Sequence, residues 1–215
     1  MRIALIHALR HSAAPIEAAF ARLWPEARLA TLLDDSLSAD LARDGTLTPA
    51  MFGRFQTLSR YARDTGADGI LFTCSAFGPC IEACQAELAP MPVLKPNEAM
   101  IEEAVALGRC IGLLATFGPT LDTMPAEFRA ARADVEVRPV LAQGALAALD
   151  AGEGTLHDQL AATAAASLAG CDLVALAQFS LARAAEAVAA SIGRPVLTTP
   201  DSAVRKLRRL LQPGP

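Results

Sequence analysis

The sequence predicts an α/β fold of two similar, doubly wound lobes, each built on a parallel sheet of roughly four strands. Two observations lead to this fold class. Short apolar runs alternate with longer helical patterns along the 215 residues, and several strand ends occur twice in the chain. Continuous apolar runs are typical of parallel strands buried on both faces, and the alternation favours right-handed β–α–β crossovers.

Three pairs of segments carry the duplication. They are GILFTCSAF at 69–77 with LVALAQFSL at 173–181, PVLKPNEAM at 92–100 with PVLTTPDSAV at 195–204, and the weaker pair IALIHA at 3–8 with IGLLAT at 111–116. The separation along the chain is nearly the same for all three pairs. The first pair sets Cys74 opposite Gln178, so the two lobes differ chemically at one strand end.

The predicted strands follow the apolar runs in chain order. They are Arg2–His7, Leu29–Leu33, Gly69–Thr73, Pro92–Leu94, Cys110–Thr116, Val135–Val140, Leu173–Ala177 and Pro195–Leu197. These runs are too short for helices and are bounded by polar residues, glycine or proline, as strands are.

Helical patterns fill the intervals between these strands. They are Pro15–Leu23, Pro49–Thr65, Pro79–Leu88, Asn97–Leu107, Pro119–Ala131, Gly144–Asp150, Leu156–Ala169 and Ala182–Ile192, followed by an amphipathic helix after Asp201. Four of them begin with proline, which is favoured in the first turn because an N–H there has no intrahelical partner anyway.

The repeat also predicts the domain boundaries. The first lobe takes residues 1–96 with 200–215, and the second takes residues 97–199. No Gly/Ser-rich linker separates them. Ligands of such folds bind at the carboxyl ends of the strands, so we expect an active site between the lobes.

Composition and charge exclude several classes of protein. Apolar residues make up 53% of the chain, yet none of the apolar runs approaches the roughly 18 residues of a membrane span. The formal net charge is −4, and the basic residues are scattered except in RKLRRL at 205–210. One amphipathic helix accounts for that cluster, so we expect neither a nucleic-acid partner nor a membrane partner.

The cysteines indicate a reducing compartment. There are five of them, an odd number, and no Cys-x-x-Cys pair occurs. A disulfide framework and a zinc site are therefore not expected, and a cytoplasmic location is. With three histidines, the chain offers few metal ligands. Because no Gly-x-Gly-x-x-Gly or Walker loop is present, we expect no metal and no cofactor.

Cys74 is the main candidate for chemistry. It ends a strand shortly before a helix, where backbone N–H groups and the helix dipole favour a thiolate, so we expect a lowered pKa and a role as a base. The alternative is an inert, buried thiol. Ser75 and the amides of Ala76 and Phe77 could form an anion-binding nest beside it, and Thr116 offers a matching hydroxyl, although both hydroxyls could also cap turns.

Other strand ends supply further candidates. His7 could bind a carboxylate, or it could hydrogen-bond a loop. The pair Asp34 and Asp35 fits a turn better than a catalytic dyad. Three phenylalanines that follow strands could form an apolar wall; they are Phe77, Phe117 and Phe179.

The sequence resembles the aspartate/glutamate racemase superfamily, which also includes hydantoin racemases, maleate isomerases and arylmalonate decarboxylases. The resemblance is carried by FTCSAFGP at 72–79, VLKPNEAM at 93–100, IGLLATFGPT at 111–120 and LVALAQFSLARA at 173–184. It implies two similar lobes, a site between them, catalysis without a cofactor, and a possible homodimer.

The resemblance also implies roles for individual residues. Racemases of this kind use two cysteines on opposite faces of the substrate, and Cys74 matches the first of them. The second position is Gln178, a departure, because an amide does not transfer protons near neutral pH. The anion-binding loops correspond to Ser75 and Ala76 in the first lobe. In the second lobe they correspond to Thr116 and Phe117, while Gln178 and Ser180 could bind the substrate.

The leading hypothesis is a cofactor-independent racemase or isomerase that acts on the α-carbon of a small carboxylate or amino-acid-like substrate, with Cys74 as acid and base. The first alternative is a single-cysteine decarboxylase of a substituted malonate. The second is a non-catalytic protein that binds a small molecule on the same scaffold. Acyl transfer by Cys74 is weaker, because no partner histidine is evident.

Overall fold

The computed structural model describes residues 1–212, which form two compact units. Unit 1 comprises Met1–Glu98 together with the chain from Ala203 onward, and unit 2 comprises Ala99–Ser202. The predicted first lobe extends to residue 215, and its residues 213–215 lie outside the described residues.

Unit 1 contains a four-stranded parallel sheet. Its strands are β1 (Arg2–His7), β2 (Arg28–Leu33), β3 (Gly69–Phe72) and β4 (Val93–Leu94). Their order across the sheet is β2-β1-β3-β4, so β1 and β3 are the central pair. β1 and β3 are buried along nearly their whole length, which explains why both read as continuous apolar runs.

Helices connect and cover the strands of unit 1. They are α1 (Ala13–Leu23), α2 (Ser36–Asp44), α3 (Pro49–Asp64) and α4 (Gly78–Leu88), and the final helix α10 (Thr199–Leu211) belongs to unit 1 from Ala203 onward. Thr48 caps α3 by accepting a hydrogen bond from the Met51 N–H, and Pro49 occupies the first turn. The proline rule for helix starts is therefore confirmed here.

Unit 2 repeats the same sheet topology. Its strands are β5 (Cys110–Ala115), β6 (Glu136–Leu141), β7 (Leu173–Leu176) and β8 (Val196–Thr198), in the order β6-β5-β7-β8, and all are parallel. Each strand of unit 2 thus has a topological counterpart in unit 1. The α/β fold class with two four-stranded parallel sheets is confirmed, as are the three repeated segment pairs, which match β3 with β7, β4 with β8 and β1 with β5.

The helices of unit 2 are α5 (Glu98–Leu107), α6 (Gly118–Ala131), α7 (Ala145–Asp150), α8 (Gly154–Ala165) and α9 (Ala185–Ile192). A 3₁₀ segment at Ala166–Leu168 ends the helix predicted to continue to Ala169, and a second one at Phe179–Ala184 includes the first three residues of the helix predicted from Ala182. The second of these follows β7 and spaces the strand end from α9.

Helix α2 was not predicted from the sequence. Of its nine residues, Leu37 alone is buried, so the segment lacks the apolar stripe that marks a helix in a sequence. Its end is well defined, because Gly45 adopts the left-handed conformation (φ +67°) that glycine tolerates without a Cβ clash.

The core of unit 1 is centred on three aromatic rings. Phe55 of α3 lies between Phe72 at the end of β3 and Phe77 in the turn that follows, with ring centroids 5.2 and 4.9 Å away. All three side chains are at most 2% exposed.

Within the described residues, no helix is long and apolar enough to span a membrane.

Replacing Phe55 by alanine should destabilise the protein by about 3–5 kcal/mol, because the change removes one ring from the middle of a packed stack and leaves a cavity. Urea denaturation measures this free energy of unfolding. Tyr61→Ala on the same helix is the matched control, since that ring is 57% exposed. A loss below about 1 kcal/mol for Phe55→Ala would show that the stack does not hold the core.

Candidate functional site

The central strand pair of unit 1 brings His7 beside the residues that precede Cys74. β1 and β3 pair in parallel with Ile6 opposite Phe72, so His7 and Thr73 are the next residues at the carboxyl edge of the sheet. Cys74 follows directly, in extended conformation, before a 3₁₀ turn at Ser75–Phe77. Parallel pairing therefore unites two candidate residues that are far apart in sequence.

His7, Ser12 and Thr73 form a buried hydrogen-bonded triangle. His7 Nδ1 lies 2.8 Å from the Thr73 hydroxyl and 3.0 Å from the Ser12 hydroxyl, and the two hydroxyls are 2.9 Å apart. The Ser12 hydroxyl donates to the Leu9 carbonyl at 2.7 Å, so it accepts from its other neighbours. Thr73 can then donate to Ser12 while accepting from a protonated Nδ1 of His7.

All three contacts of the triangle are satisfied when Nδ1 carries the proton, and in that tautomer Nε2 of His7 is unprotonated. Nε2 is buried and has no hydrogen-bond partner within residues 1–212, and the whole side chain is 1% exposed. Burial lowers the pKa of His7 to about 4, because a charged imidazolium would lose its hydration. At neutral pH His7 is therefore an uncharged residue that holds Thr73, the neighbour of Cys74; a direct contact with a carboxylate stays a prediction.

The thiol of Cys74 is protonated in the resting protein. Burial raises its pKa, and the hydrogen bond from the Ala76 backbone N–H lowers it only in part. The expectation of a lowered pKa is wrong, for a structural reason. The 3₁₀ turn separates Cys74 from the first residue of α4, and Cys74 packs against the core of unit 1, where a thiolate would lose its hydration.

The residues after Cys74 divide into an exposed pair and a buried one. Ser75 and Ala76 are exposed on the 3₁₀ turn, so the Ser75 hydroxyl is accessible, whereas the Ala76 N–H interacts with Cys74. Phe77 is fully buried against Phe55, so its predicted place in an apolar wall is wrong. The ring instead anchors the turn to the core.

In unit 2, Gln178 joins two strand ends through its side chain. Its Oε1 accepts a hydrogen bond from the Thr116 backbone N–H at 3.1 Å, and its Nε2 donates to the Thr120 hydroxyl at 3.0 Å. The orientation of the amide follows from the first bond, because a backbone N–H can only donate. Gln178 thus fixes the turn after β5, and it uses an N–H of the predicted anion-binding loop to do so.

The other predicted residues of unit 2 differ in exposure. Thr116 is 8% exposed, whereas Phe117 is 52% exposed. Ser180 is half-buried in the 3₁₀ segment after Gln178, and Phe179 is buried. Of the two phenylalanines at this edge, Phe117 therefore presents an apolar ring to solvent, and Phe179 packs inside.

Two residues of these networks, Thr73 and Thr120, were not singled out in the sequence. Each lies within a few residues of a candidate that was, but a hydroxyl close to a strand end has no pattern that distinguishes it from a turn cap. Asp34 and Asp35, which the sequence assigned to a turn, lie directly before α2 and pair with arginines. Asp34 accepts a hydrogen bond from Arg54 at 3.0 Å, and Asp35 accepts one from Arg10 at 2.8 Å.

Comparison with known proteins agrees with this architecture. The model of the Asp/Glu/Hydantoin racemase family matches residues 17–207. None of the curated protein sequences compared with the chain matches it. Solved structures do match, at identities low enough that the likeness is evidence for the fold alone.

Three of these structures represent different activities. Allantoin racemase from Klebsiella pneumoniae is 19% identical with a TM-score of 0.75, covering 98% of this chain and 87% of that one. Glutamate racemase from Francisella tularensis, in complex with D-glutamate, is 14% identical with a TM-score of 0.70, covering 98% and 80%. Arylmalonate decarboxylase is 18% identical with a TM-score of 0.67, covering 100% and 94%.

The imidazole of His7 should titrate near pH 4 in the folded protein. The unfolded chain takes up this proton at about pH 6.5, so the free energy of unfolding falls as the pH drops between these values, by roughly 3 kcal/mol at most. An NMR titration of the imidazole resonances measures the pKa, with His11→Gln for assignment. A midpoint near 6.5 for His7 would contradict the buried, neutral state.

The Cys74 thiol should become reactive only at high pH. Its alkylation by iodoacetamide, followed on the Cys74 peptide by mass spectrometry, should show a midpoint above the ordinary thiol pKa of about 8.5. The same peptide in the urea-unfolded protein is the control, where burial no longer acts. A midpoint at or below pH 7 in the folded protein would mean that the Ala76 N–H outweighs burial.

Proposed function

Because the chain belongs to the Asp/Glu/Hydantoin racemase family, we propose that it is a cofactor-independent enzyme that moves a proton at the carbon next to a carboxylate, with Cys74 as the catalytic residue. The reaction supported best is decarboxylation of a substituted malonate. The observation that carries this choice is the buried thiol of Cys74, whose raised pKa keeps it protonated and ready to donate. The sequence had ranked racemisation first.

Decarboxylation needs a proton donor and no base. The bond between the α-carbon and one carboxyl group breaks, carbon dioxide leaves, and the electron pair remains on the α-carbon and the second carboxylate as an enediolate. The Cys74 S–H then protonates the α-carbon from one side. The Ala76 N–H stabilises the resulting thiolate until it regains a proton from water.

Gln178 also supports decarboxylation, because its amide cannot serve as a second acid or base. A racemase with two acid–base groups needs a second one for the other face of the α-carbon, and the amide at 178 transfers no proton near neutral pH. Its two ends are also committed to Thr116 and Thr120. We therefore assign Gln178 a positioning role for the turn after β5.

The carboxylate that remains on the substrate needs donors. We assign this role to the accessible hydroxyl of Ser75, the residue after Cys74. The substrate-binding roles expected for Thr116 and Phe117 stay predictions. We assign His7 a positioning role, because it is neutral and its hydrogen bond holds Thr73, the residue before Cys74.

Racemisation or isomerisation is the second candidate. Family membership favours it, and the Ala76 N–H offers a thiolate at position 74 some stabilisation. The reaction would require Cys74 to lose its proton at the start of the cycle. It would also require an acid other than Gln178 for the opposite face.

Isotope incorporation separates these reactions. The protein is incubated in deuterated buffer with substituted malonates, amino acids and hydantoins. Decarboxylation should release carbon dioxide and give a product that carries deuterium on one face of the α-carbon. Racemisation should instead introduce deuterium into recovered substrate without release of carbon dioxide. A ligand that raises the Tm while neither reaction occurs would support a binding protein.

Variants test the role of Cys74 directly. Cys74→Ser and Cys74→Ala should lower kcat by roughly 100- to 10,000-fold, because a positioned proton donor is lost, with little change in the free energy of unfolding. Cys110→Ala is the matched control, since Cys110 is also a half-buried cysteine but lies at the amino end of β5 in unit 2. Full activity of Cys74→Ala would exclude the proposed mechanism.

A further inference from the structure

Two cysteines that the proposed reaction does not use meet at the amino ends of the central strands of unit 2. Cys110 is the first residue of β5, and Cys171 lies two residues before β7. These strands pair in parallel with Ile111 opposite Leu173, and the Asp172 N–H donates to the Cys110 carbonyl at 2.8 Å. The strand register therefore sets Cys171 diagonally across from Cys110.

This placement matches the requirements of a disulfide. Neighbouring strands lie about 4.8 Å apart and residues along a strand about 3.3 Å, so diagonal Cα atoms are separated by roughly 6 Å. Disulfides join Cα atoms that are about 4.4–6.8 Å apart. Cys110 also packs against the apolar cluster that contains Cys171, and contact with Cys110 contributes to the raised pKa of Cys171.

The two thiols differ in access. Cys110 is half-buried, so a small oxidant can reach it, whereas Cys171 is 1% exposed. Burial, followed by contact with Cys110, raises the pKa of Cys171 to about 11. Cys171 is thus the less reactive partner, suited to attack a neighbouring sulfur and not an oxidant in solution.

Arg138 adds a positive charge beside the pair. It lies on β6, next to β5 in the sheet. Its positive charge favours the thiolate of Cys171, and Glu136 together with the two cysteines raises the pKa of Arg138. The Arg138 guanidinium lies close to Gly170, the residue before Cys171. The guanidinium is also paired with Glu136 at 2.7 Å. Positive charge near a partly accessible thiol is typical of oxidation-sensitive cysteines.

We propose that Cys110 and Cys171 form a redox modification site, at which hydrogen peroxide oxidises Cys110 and Cys171 closes a reversible disulfide. This proposal does not depend on the reaction assigned to Cys74. The bond would tie β5 to β7 at the edge of the sheet opposite to Thr116 and Gln178.

The chemistry balances in two steps. The thiolate of Cys110 attacks one oxygen of the peroxide, the O–O bond breaks, hydroxide leaves, and Cys110 becomes a sulfenic acid. The sulfur of Cys171 then attacks the sulfur of Cys110, the S–O bond breaks, and water leaves with the proton of the Cys171 thiol. Two thiols are oxidised and one peroxide is reduced; a dithiol reductant reverses the change.

A second pair of cysteines in the chain provides an internal comparison. Cys80 and Cys84 lie one turn apart on α4, and both are fully buried. Burial raises the pKa of Cys80 to about 11. Because neither thiol is accessible to peroxide, this pair should stay reduced in the folded protein.

Peroxide treatment of the folded, full-length protein tests the proposal. Remaining thiols are alkylated, the protein is digested without reductant, and cross-linked peptides are identified by mass spectrometry. The titratable thiols should fall from five to three, a peptide joining Cys110 to Cys171 should appear, and dithiothreitol should remove it. The protein should run as a monomer on a non-reducing denaturing gel, because the bond is internal.

Variants and a denatured sample complete the design. Cys110→Ser and Cys171→Ser should each abolish the linked peptide, whereas Cys84→Ser should leave its yield unchanged. In urea, the same oxidation should give mixed pairings, since the fold no longer selects partners. Persistence of all thiols in the folded protein, or oxidation of Cys110 to sulfinic acid without a link to Cys171, would overturn the proposal.

Discussion

The parallel pairing of two central strands in each unit is the constraint on which the rest of the structure depends. In unit 1, β1 beside β3 places His7 next to Thr73 and so next to Cys74. In unit 2, β5 beside β7 allows Gln178 to reach the Thr116 N–H. Because both strands of a pair run in the same direction, residues that are distant in sequence meet at a common edge.

The same pairing also acts at the other end of the strands. In unit 2 it brings Cys110 together with Cys171, away from the edge that carries Gln178. One pair of strands therefore supports a polar network at its carboxyl end and a pair of thiols at its amino end. The two ends are separated by the buried, apolar length of the strands, so their chemistry can be altered independently.

Burial decides the protonation state of the central residues. It holds His7 uncharged by lowering its pKa, and it keeps Cys74 protonated by raising its pKa. Both effects have one cause, the loss of hydration by the charged form. Burial thus leaves a neutral imidazole and a protonated thiol close together at the carboxyl end of the unit 1 sheet.

The sequence predicted most of the fold and the positions of the candidate residues. Apolar runs identified the eight strands of residues 1–212, and the repeated segments matched counterparts in the two sheets. The pattern is strongest for the central strands β1, β3, β5 and β7, because they are buried on both faces. Helix α2 escaped prediction since Leu37 is its one buried residue. The prediction for Cys74 had the right position and the wrong pKa, because a 3₁₀ turn between a strand and a helix leaves no clear sequence signal.

By itself the sequence determined the two-sheet architecture. It also showed that Cys74 and Gln178 follow equivalent strands of the two sheets, and that position 178 is not a cysteine. These features depend on residue identity and on periodicity along the chain. Only the tertiary structure decided that His7 is neutral, that Phe77 belongs to the core, and that the Gln178 amide is committed to two partners. Those properties depend on burial and on contacts between distant residues, which arise only when the strands pair.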